Sequence, residues 1–138
     1  MKRARFRQEL LDLGLVAAGA IPGALLRWRL ELVAAETIGG LRGVVGADLL
    51  ANLIGCLLIG ALAAQPPRRA GLFLWGGIGF CGSLTTFSSW ILELSQALRH
   101  GQLGPALSVL LVSLVGGLLL TAFGYELARR HLVSTDRS

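Results

Sequence analysis

At 138 residues, with 54% hydrophobic and only 15% charged residues and a mean hydropathy of +0.67, the chain is too apolar for a soluble domain of its size and reads as a membrane protein. Its net charge of +5 would suggest nucleic acid in a soluble protein. Here Lys and Arg gather at the ends of apolar blocks, where their side chains reach lipid headgroups, so no nucleic-acid partner is expected.

Four apolar blocks have the roughly 20-residue length needed to cross a hydrocarbon core. The first runs over 10–28. A basic start before an apolar run also outlines a secretory signal, but Asp12 inside the run and its continuation past Pro22 argue against one. Gly19 with Gly23, and Ala20 with Ala24, give small residues at four-residue spacing, the pattern that lets membrane helices approach closely. Arg27 falls at the end of the block, between Leu26 and Trp28. It reads either as one of a snorkelling pair with Arg29 beside an interfacial aromatic, or as a fixed positive charge in a vestibule that attracts anions. A polar connection is expected over 31–42.

The second block covers 44–64. Asp48 near its start has the position of a helix N-cap. Asn52 lies deeper, among Leu49, Leu50, Leu53 and Ile54; an unpaired amide in hydrocarbon costs several kcal/mol, so it must face protein or water. It is either glue between helices or a pore residue whose amide donates to an anion. Cys56 and Gly60 continue the small-residue spacing. Pro66, Pro67, Arg68 and Arg69 then end the block.

The third block, 71–98, contains the sequence GFCGSLTTFSSW over 79–90. Gly76, Gly77, Gly79 and Gly82 weaken a helix, while Thr85, Thr86, Ser88 and Ser89 bring hydroxyls that bond freed backbone groups. The stretch therefore reads as a broken membrane helix, tolerated where it lines a cavity or binds an ion; ordinary helix packing with hydroxyls bonded back to carbonyls is the alternative. Exposed carbonyls would suit a cation, and a half-helix N-terminus an anion. Phe87 and Trp90 share a helical face. Glu93 is an intramembrane carboxylate, which raises a functional reading by default; with Arg99 six residues on, it reads rather as a structural group near the interface. Arg99, His100 and Gly101 form the next connection, and the fourth block, 103–127, carries Ser113, Gly117, Thr121 and Gly124 as a further row of small residues. Cys56 and Cys81 both lie inside blocks, so they read as packing residues and give no disulfide framework.

No enzyme is indicated. The chain has no phosphate-cradling loop ending in Lys and Ser or Thr, its two His, His100 and His131, make no metal-ligand cluster, and no nucleophile stands at a suggestive spacing from a base. Four short spans enclose little volume, so an oligomer is expected.

At Gly19 to Trp28, Asn52 to Gly55, Gly79 to Ser88 and Gly116 to Gly124 the sequence resembles the Fluc/CrcB family of fluoride channels, over nearly the whole chain. The third-block motif is the specific one. The resemblance implies an all-α membrane protein of one domain, with four transmembrane helices per subunit and a broken third helix, paired antiparallel with a second copy as a dual-topology dimer in the bacterial inner membrane. It implies two narrow fluoride pathways and a structural sodium ion held by the backbone carbonyls of Gly82 and Thr85. Phe87 would present an electropositive ring edge to fluoride, Asn52 its amide, Ser88 and Ser89 their hydroxyls, and Arg27 would sit by the vestibule; Ser108, Ser113 and Thr121 would form a polar track. The implied function is passive export of cytoplasmic fluoride that lowers its toxicity.

Two residues depart from the family pattern. Trp90 takes the place of the second pore phenylalanine, and Asp48 that of a small hydroxyl residue. Charge also bears on assembly. With four spans, nine Lys and Arg (positions 2, 3, 5, 7, 68, 69, 129, 130 and 137) share one side against four (27, 29, 42 and 99) opposite. This leans towards both termini inside the cell, whereas dual topology asks for near balance. The chain is thus expected as a weakly biased homodimer or as one fixed-orientation subunit of a heteromeric fluoride channel. A proton-coupled small-anion exporter titrating Glu93 or Asp48, and a membrane scaffold without transport, are the rival functions.

Overall fold

The computed structural model describes residues 2–135, apart from the side chains of residues 2, 38–45, 89, 90, 93, 105, 134 and 135. Among the described residues the chain is all helix, with no strand. Helix α1, Lys2–Ala34, passes through a π-helical turn, Ala35–Gly39, into α2, Gly40–Ala63. The connection expected over 31–42 is therefore helical. Side chains explain the continuation: Arg27 pairs with Glu31 one turn on at 3.1 Å, and the Thr37 hydroxyl donates to the Val33 carbonyl at 2.7 Å, a back-bond that favours bending. Asp48 is likewise well inside α2 and buried, so it is no N-cap.

After Pro66 and Pro67 a short 3₁₀ turn, Pro67–Arg69, leads into α3, which comprises Ala70–Leu72, the π-helical Phe73–Cys81 and Gly82–Leu84. Helix α4, Ser88–Arg99, follows a three-residue gap. Gly101 (φ 68°) ends it: the N–H groups of Gly101 and Gln102 donate to the carbonyls of Leu98 and Ala97 at 3.0 and 2.9 Å. This paired helix-end motif needs a left-handed residue, which glycine supplies without strain. The last helix, α5, comprises Leu103–Leu111, a π turn Val112–Gly116 and Gly117–Thr135.

The small residues meet as their spacing suggests. On α1, a Cβ at Gly19 would strike the Trp75 backbone and one at Gly23 the Phe80 carbonyl of α3. On α2, a Cβ at Gly60 would strike the Thr121 backbone of α5, and one at Gly124 of α5 the Leu57 carbonyl of α2. Lipid supplies no hydrophobic drive between helices, so backbone approach of this kind supplies the dispersion contact instead. The α2 residues Leu53, Cys56 and Gly60 meet Gly116, Gly117 and Thr121 in the same order, so α2 and α5 run parallel; α1 and α3 do likewise, and α3 opposes α2. Gly60→Ala should lower stability by about 1–3 kcal/mol through overpacking. Gly14→Ala, where a Cβ meets nothing within 4 Å, should be neutral; thermal unfolding of both in detergent checks the pair.

Three helices are long and apolar enough to cross a membrane: Arg3–Thr37, Gly46–Ala63 and Ala106–Val133. Neither α3 nor α4 reaches the roughly 20 residues that crossing alone requires. The outer faces carry Leu13, Ile21, Leu118 and Leu119 largely exposed, and the buried apolar side chains are mostly small, Ala47, Ala51, Cys81 and Ala106 with Leu84. A surface of this kind suits lipid, and the protein is a multi-pass membrane protein.

Candidate functional site

The α3–α4 gap is the centre of the site. Up to Thr85 the backbone still closes as a helix, with its N–H on the Cys81 carbonyl at 3.0 Å. Thr85 itself turns extended, at φ −80° and ψ 151°. One residue on, the Thr86 N–H donates to Asn52 Oδ1 at 2.7 Å, and Asn52 Nδ2 donates to the Thr86 carbonyl at 2.9 Å. The side-chain amide of α2 thus imitates a neighbouring backbone and satisfies both groups that the interruption frees.

This clasp determines what happens at Gly82. In an unbroken helix the Thr86 N–H would close on the Gly82 carbonyl; it is turned to Asn52 instead, and the carbonyl loses that donor. A Cβ at Gly82 would meet nothing within 4 Å, and the residue is exposed. The C-terminal turn of α3, with its partial negative charge, therefore borders open space at Gly82. Opposite it, α4 starts at Ser88 with no side-chain cap, and its first helical closure is the Ile91 N–H on the Phe87 carbonyl at 3.0 Å. The preceding N–H groups give that end partial positive charge. A helix end that suits a cation and one that suits an anion stand three residues apart.

Hydroxyls support the interruption from α3. Ser83 Oγ reaches the carbonyls of Ala20, Gly79 and Phe80 at 2.9, 2.9 and 3.1 Å, tying α3 to α1. Thr85 Oγ1 donates back to the Cys81 carbonyl at 2.9 Å. Thr86 Oγ1 and Ser88 Oγ lie 3.2 Å apart across the gap.

Beside the gap lies a groove of about 370 Å³, open on one face and mostly apolar, lined by Asn52, Gly82, Thr85, Thr86, Phe87 and Ser113 among others. It brings together Asn52, Phe87, Gly82 and Thr85, and with them Thr86 and Ser113, all singled out from sequence. Phe87 is 71% exposed. Ser88 adjoins the groove through Thr86 and is itself exposed. Arg27 is elsewhere, held by Glu31 on α1, while Arg29 lies over the Trp28 ring at 5.8 Å. The side chains of Ser89, Trp90 and Glu93 lie outside the described residues. Of the fourth-block hydroxyls, Ser108 and Thr121 bond back to Gly104 and Gly117, both at 2.9 Å; Ser113 Oγ is buried without a partner and faces the groove.

Residue chemistry alone missed the identity of Asn52's partner. The signal was available: a lone amide among leucines needs both a donor and an acceptor, and a broken helix nearby is the one source of backbone groups in lipid. The roles of Ser83 as a tie to α1 and of the Thr86 backbone were also not read.

Comparison with known proteins is consistent across the chain. Residues 14–125 match the family described as CrcB-like protein, Camphor Resistance (CrcB). The chain is 46% identical over 126 residues, 90% of its own length and 86% of the relative's, to the fluoride-specific ion channel FluC 2 of Parasynechococcus marenigrum (strain WH8102). It is 42% identical over 123 residues (83% and 94%) to the fluoride-specific ion channel FluC of Pseudomonas putida. To the protein of that name from Marinobacter nauticus it is 40% identical over 114 residues (80% and 88%).

Proposed function

This chain belongs to the CrcB family, and from that premise we propose that it forms a passive, fluoride-selective channel through which cytoplasmic fluoride leaves the cell. The observation that carries the reading is the clasp of Asn52 on Thr86, which holds a membrane helix open beside Phe87. Hydrogen fluoride crosses lipid as a neutral acid and ionises in the more alkaline interior, where the anion is trapped. A negative interior then drives it out, with about 2.3 kcal/mol per charge for each 100 mV. No covalent chemistry is required.

In this reading the third block, though broken, crosses once as α3 plus α4, giving four spans in one domain. The parallel pairing of α1 with α3 and of α2 with α5 supports alternate crossing. The second copy is argued from exposure. Gly82, Phe87 and Ser88 are exposed and Thr85 and Thr86 half-buried beside them, and polar backbone cannot be left to lipid. An antiparallel partner, identical or closely related, would cover that face and complete two pathways. Sodium fits the residues present, because Gly82 has lost its helical donor and Thr85 is extended; their carbonyls, from both subunits, would hold the ion. When bound it supplies fixed positive charge without a titrating group.

Along the pathway, Phe87 presents its ring edge, the Asn52 amide keeps a second N–H after bonding Thr86, and the Ser88 hydroxyl adds a donor. Narrow, donor-lined sites of this kind favour the small anion over chloride. Ser89, Trp90 and the Arg27 vestibule charge complete the proposed set.

The test is fluoride efflux from liposomes holding the purified protein, with and without a pH gradient. Efflux is expected without the gradient; a requirement for it would make the protein a proton-coupled exporter. Absence of flux with a dissimilar partner co-purifying would make it a scaffold. Exchanging sodium for a large organic cation throughout purification should reduce efflux at least about tenfold, as a positive charge near the anion is lost. Scoring the side of a C-terminal tag separates the assemblies, since tags found only inside would leave a fixed-orientation subunit of a heteromer.

A further inference from the structure

The end of the bundle where α2 stops carries a cavity unrelated to the groove beside Phe87. Gly124 of α5 packs on Leu57 and Ala61 of α2, yet α2 ends at Ala63 whereas α5 runs on to Thr135. Pro66, extended at φ −65° and ψ 154°, and Pro67 turn the chain aside, since proline cannot continue a helix. The 3₁₀ turn Pro67–Arg69 then closes with the Arg69 N–H on the Pro66 carbonyl at 2.8 Å. Between this turn and the overhanging end of α5 lies a cavity of about 610 Å³, lined by Gln65, Arg68, Arg69, Arg129, His131 and Leu132 among others. No acid is among its lining residues.

The charge here is one-sided and held in place. Arg69 Nη1 donates to Gln65 Oε1 at 2.7 Å. The Glu126 carboxylate accepts from Arg129 Nε at 3.0 Å and Arg130 Nε at 2.9 Å, so one acid serves two guanidinium groups. Arg68 and Arg69 have no carboxylate partner among the described residues; Asp136 and Arg137 lie outside them. A guanidinium has N–H donors and no acceptor, and the excess of them around one cavity calls for an anion.

Depth and shape select the kind of anion. The apolar span Ala106–Val133 has 28 residues, against about 20 that cross hydrocarbon. Charge is costly in the bilayer core, so the surplus falls at the end that carries Arg129, Arg130 and His131, among the headgroups. A second cavity, of about 300 Å³, shares Gln65, Pro66 and Arg69 with the first and continues to Leu62 and Phe73, apolar side chains of α2 and α3. A basic chamber joined to an apolar one at headgroup depth matches a molecule with a phosphate at one end and hydrocarbon at the other.

We propose that the two cavities together hold one anionic phospholipid, its phosphate on Arg68, Arg69 and Arg129 and the start of an acyl chain along Leu62 and Phe73. Arginine suits the role, because its planar fork of donors matches phosphate oxygens in pairs. Such a lipid is bound whether or not fluoride is conducted, so its test is a binding measurement that no failure of the channel reading affects.

Native mass spectrometry of the purified protein in uncharged detergent should find phosphatidylglycerol held at least about tenfold more tightly than phosphatidylcholine of the same acyl chains. Arg68→Gln with Arg69→Gln should abolish the preference, while Arg3→Gln with Arg7→Gln, an equal loss of charge from exposed side chains outside the cavity, should keep it within about twofold. Thermal unfolding should be unchanged in both pairs, because all four arginines are exposed. A measurement that needs no variant uses phosphatidylglycerol with a photoreactive group near the carboxyl end of one acyl chain, which should label the wild type around Leu62 and Phe73. Equal affinity for the two lipids, or an equal loss in the two double variants, overturns the site and leaves only diffuse attraction to basic residues. Displacement of phosphatidylglycerol by millimolar inorganic phosphate overturns the lipid in favour of a soluble anion, and labelling confined to other helices overturns the placement of the acyl chain.

Discussion

Phe87→Ile should reduce fluoride efflux from proteoliposomes by about two orders of magnitude, a loss of about 2.7 kcal/mol along the pathway, with folding and oligomeric state unchanged. The residue invites a clean test because of where it stands. It is 71% exposed, so its replacement opens no core cavity. The Phe87 carbonyl accepts the Ile91 N–H and starts α4, and any side chain leaves that bond in place. Isoleucine keeps an apolar body in the groove but has no ring, and therefore none of the positive edge that an aromatic quadrupole offers an anion. Size-exclusion chromatography in detergent would verify assembly, and a fluoride electrode the flux. A variant of unchanged size that still conducts like the wild type would remove Phe87 from the pathway.

Most of the architecture was legible because lipid imposes so few solutions. Apolar blocks near 20 residues long set the helices, and Pro66, Pro67 and Gly101 ended them where expected. The rows Gly19 and Gly23, and Gly60 with Thr121 and Gly124, became contacts between helices as small-residue spacing requires. Helix ends facing water were harder to read. The run 31–42 looked like a loop by its charges, yet pairs at four-residue spacing, Arg27 with Glu31 and Thr37 with Val33, carry the helix onward. Asp48 was misread for the same reason: a carboxylate early in an apolar block suggests a cap, and only the helical continuation from α1 places it well inside α2, where it is buried. The break itself was readable from its glycines and hydroxyls. Its register was not, because the residue at which the helix opens is set by a side chain 34 positions earlier.

That side chain gives the second large effect. Asn52→Leu should destabilise the protein by about 3 kcal/mol, the cost of leaving a half-buried donor and acceptor unmet, and should abolish efflux. The two losses have one origin. Without the amide, the Thr86 N–H either stays unsatisfied or returns to the Gly82 carbonyl, and in the second case α3 extends through Thr86, the gap closes and the carbonyl proposed for sodium is consumed. Asn52→Asp separates the two roles of the amide, since a carboxylate still accepts from the Thr86 N–H but offers nothing to the Thr86 carbonyl or to fluoride. It should retain about half of the lost stability and none of the flux. Thermal unfolding and efflux measured on both variants, with amide hydrogen exchange at Thr86, would follow each step. If Asn52→Leu unfolds at the wild-type temperature and Thr86 exchanges no faster, the helix is held open by something other than this clasp, because no second donor and acceptor pair is directed at Thr86 among the described residues.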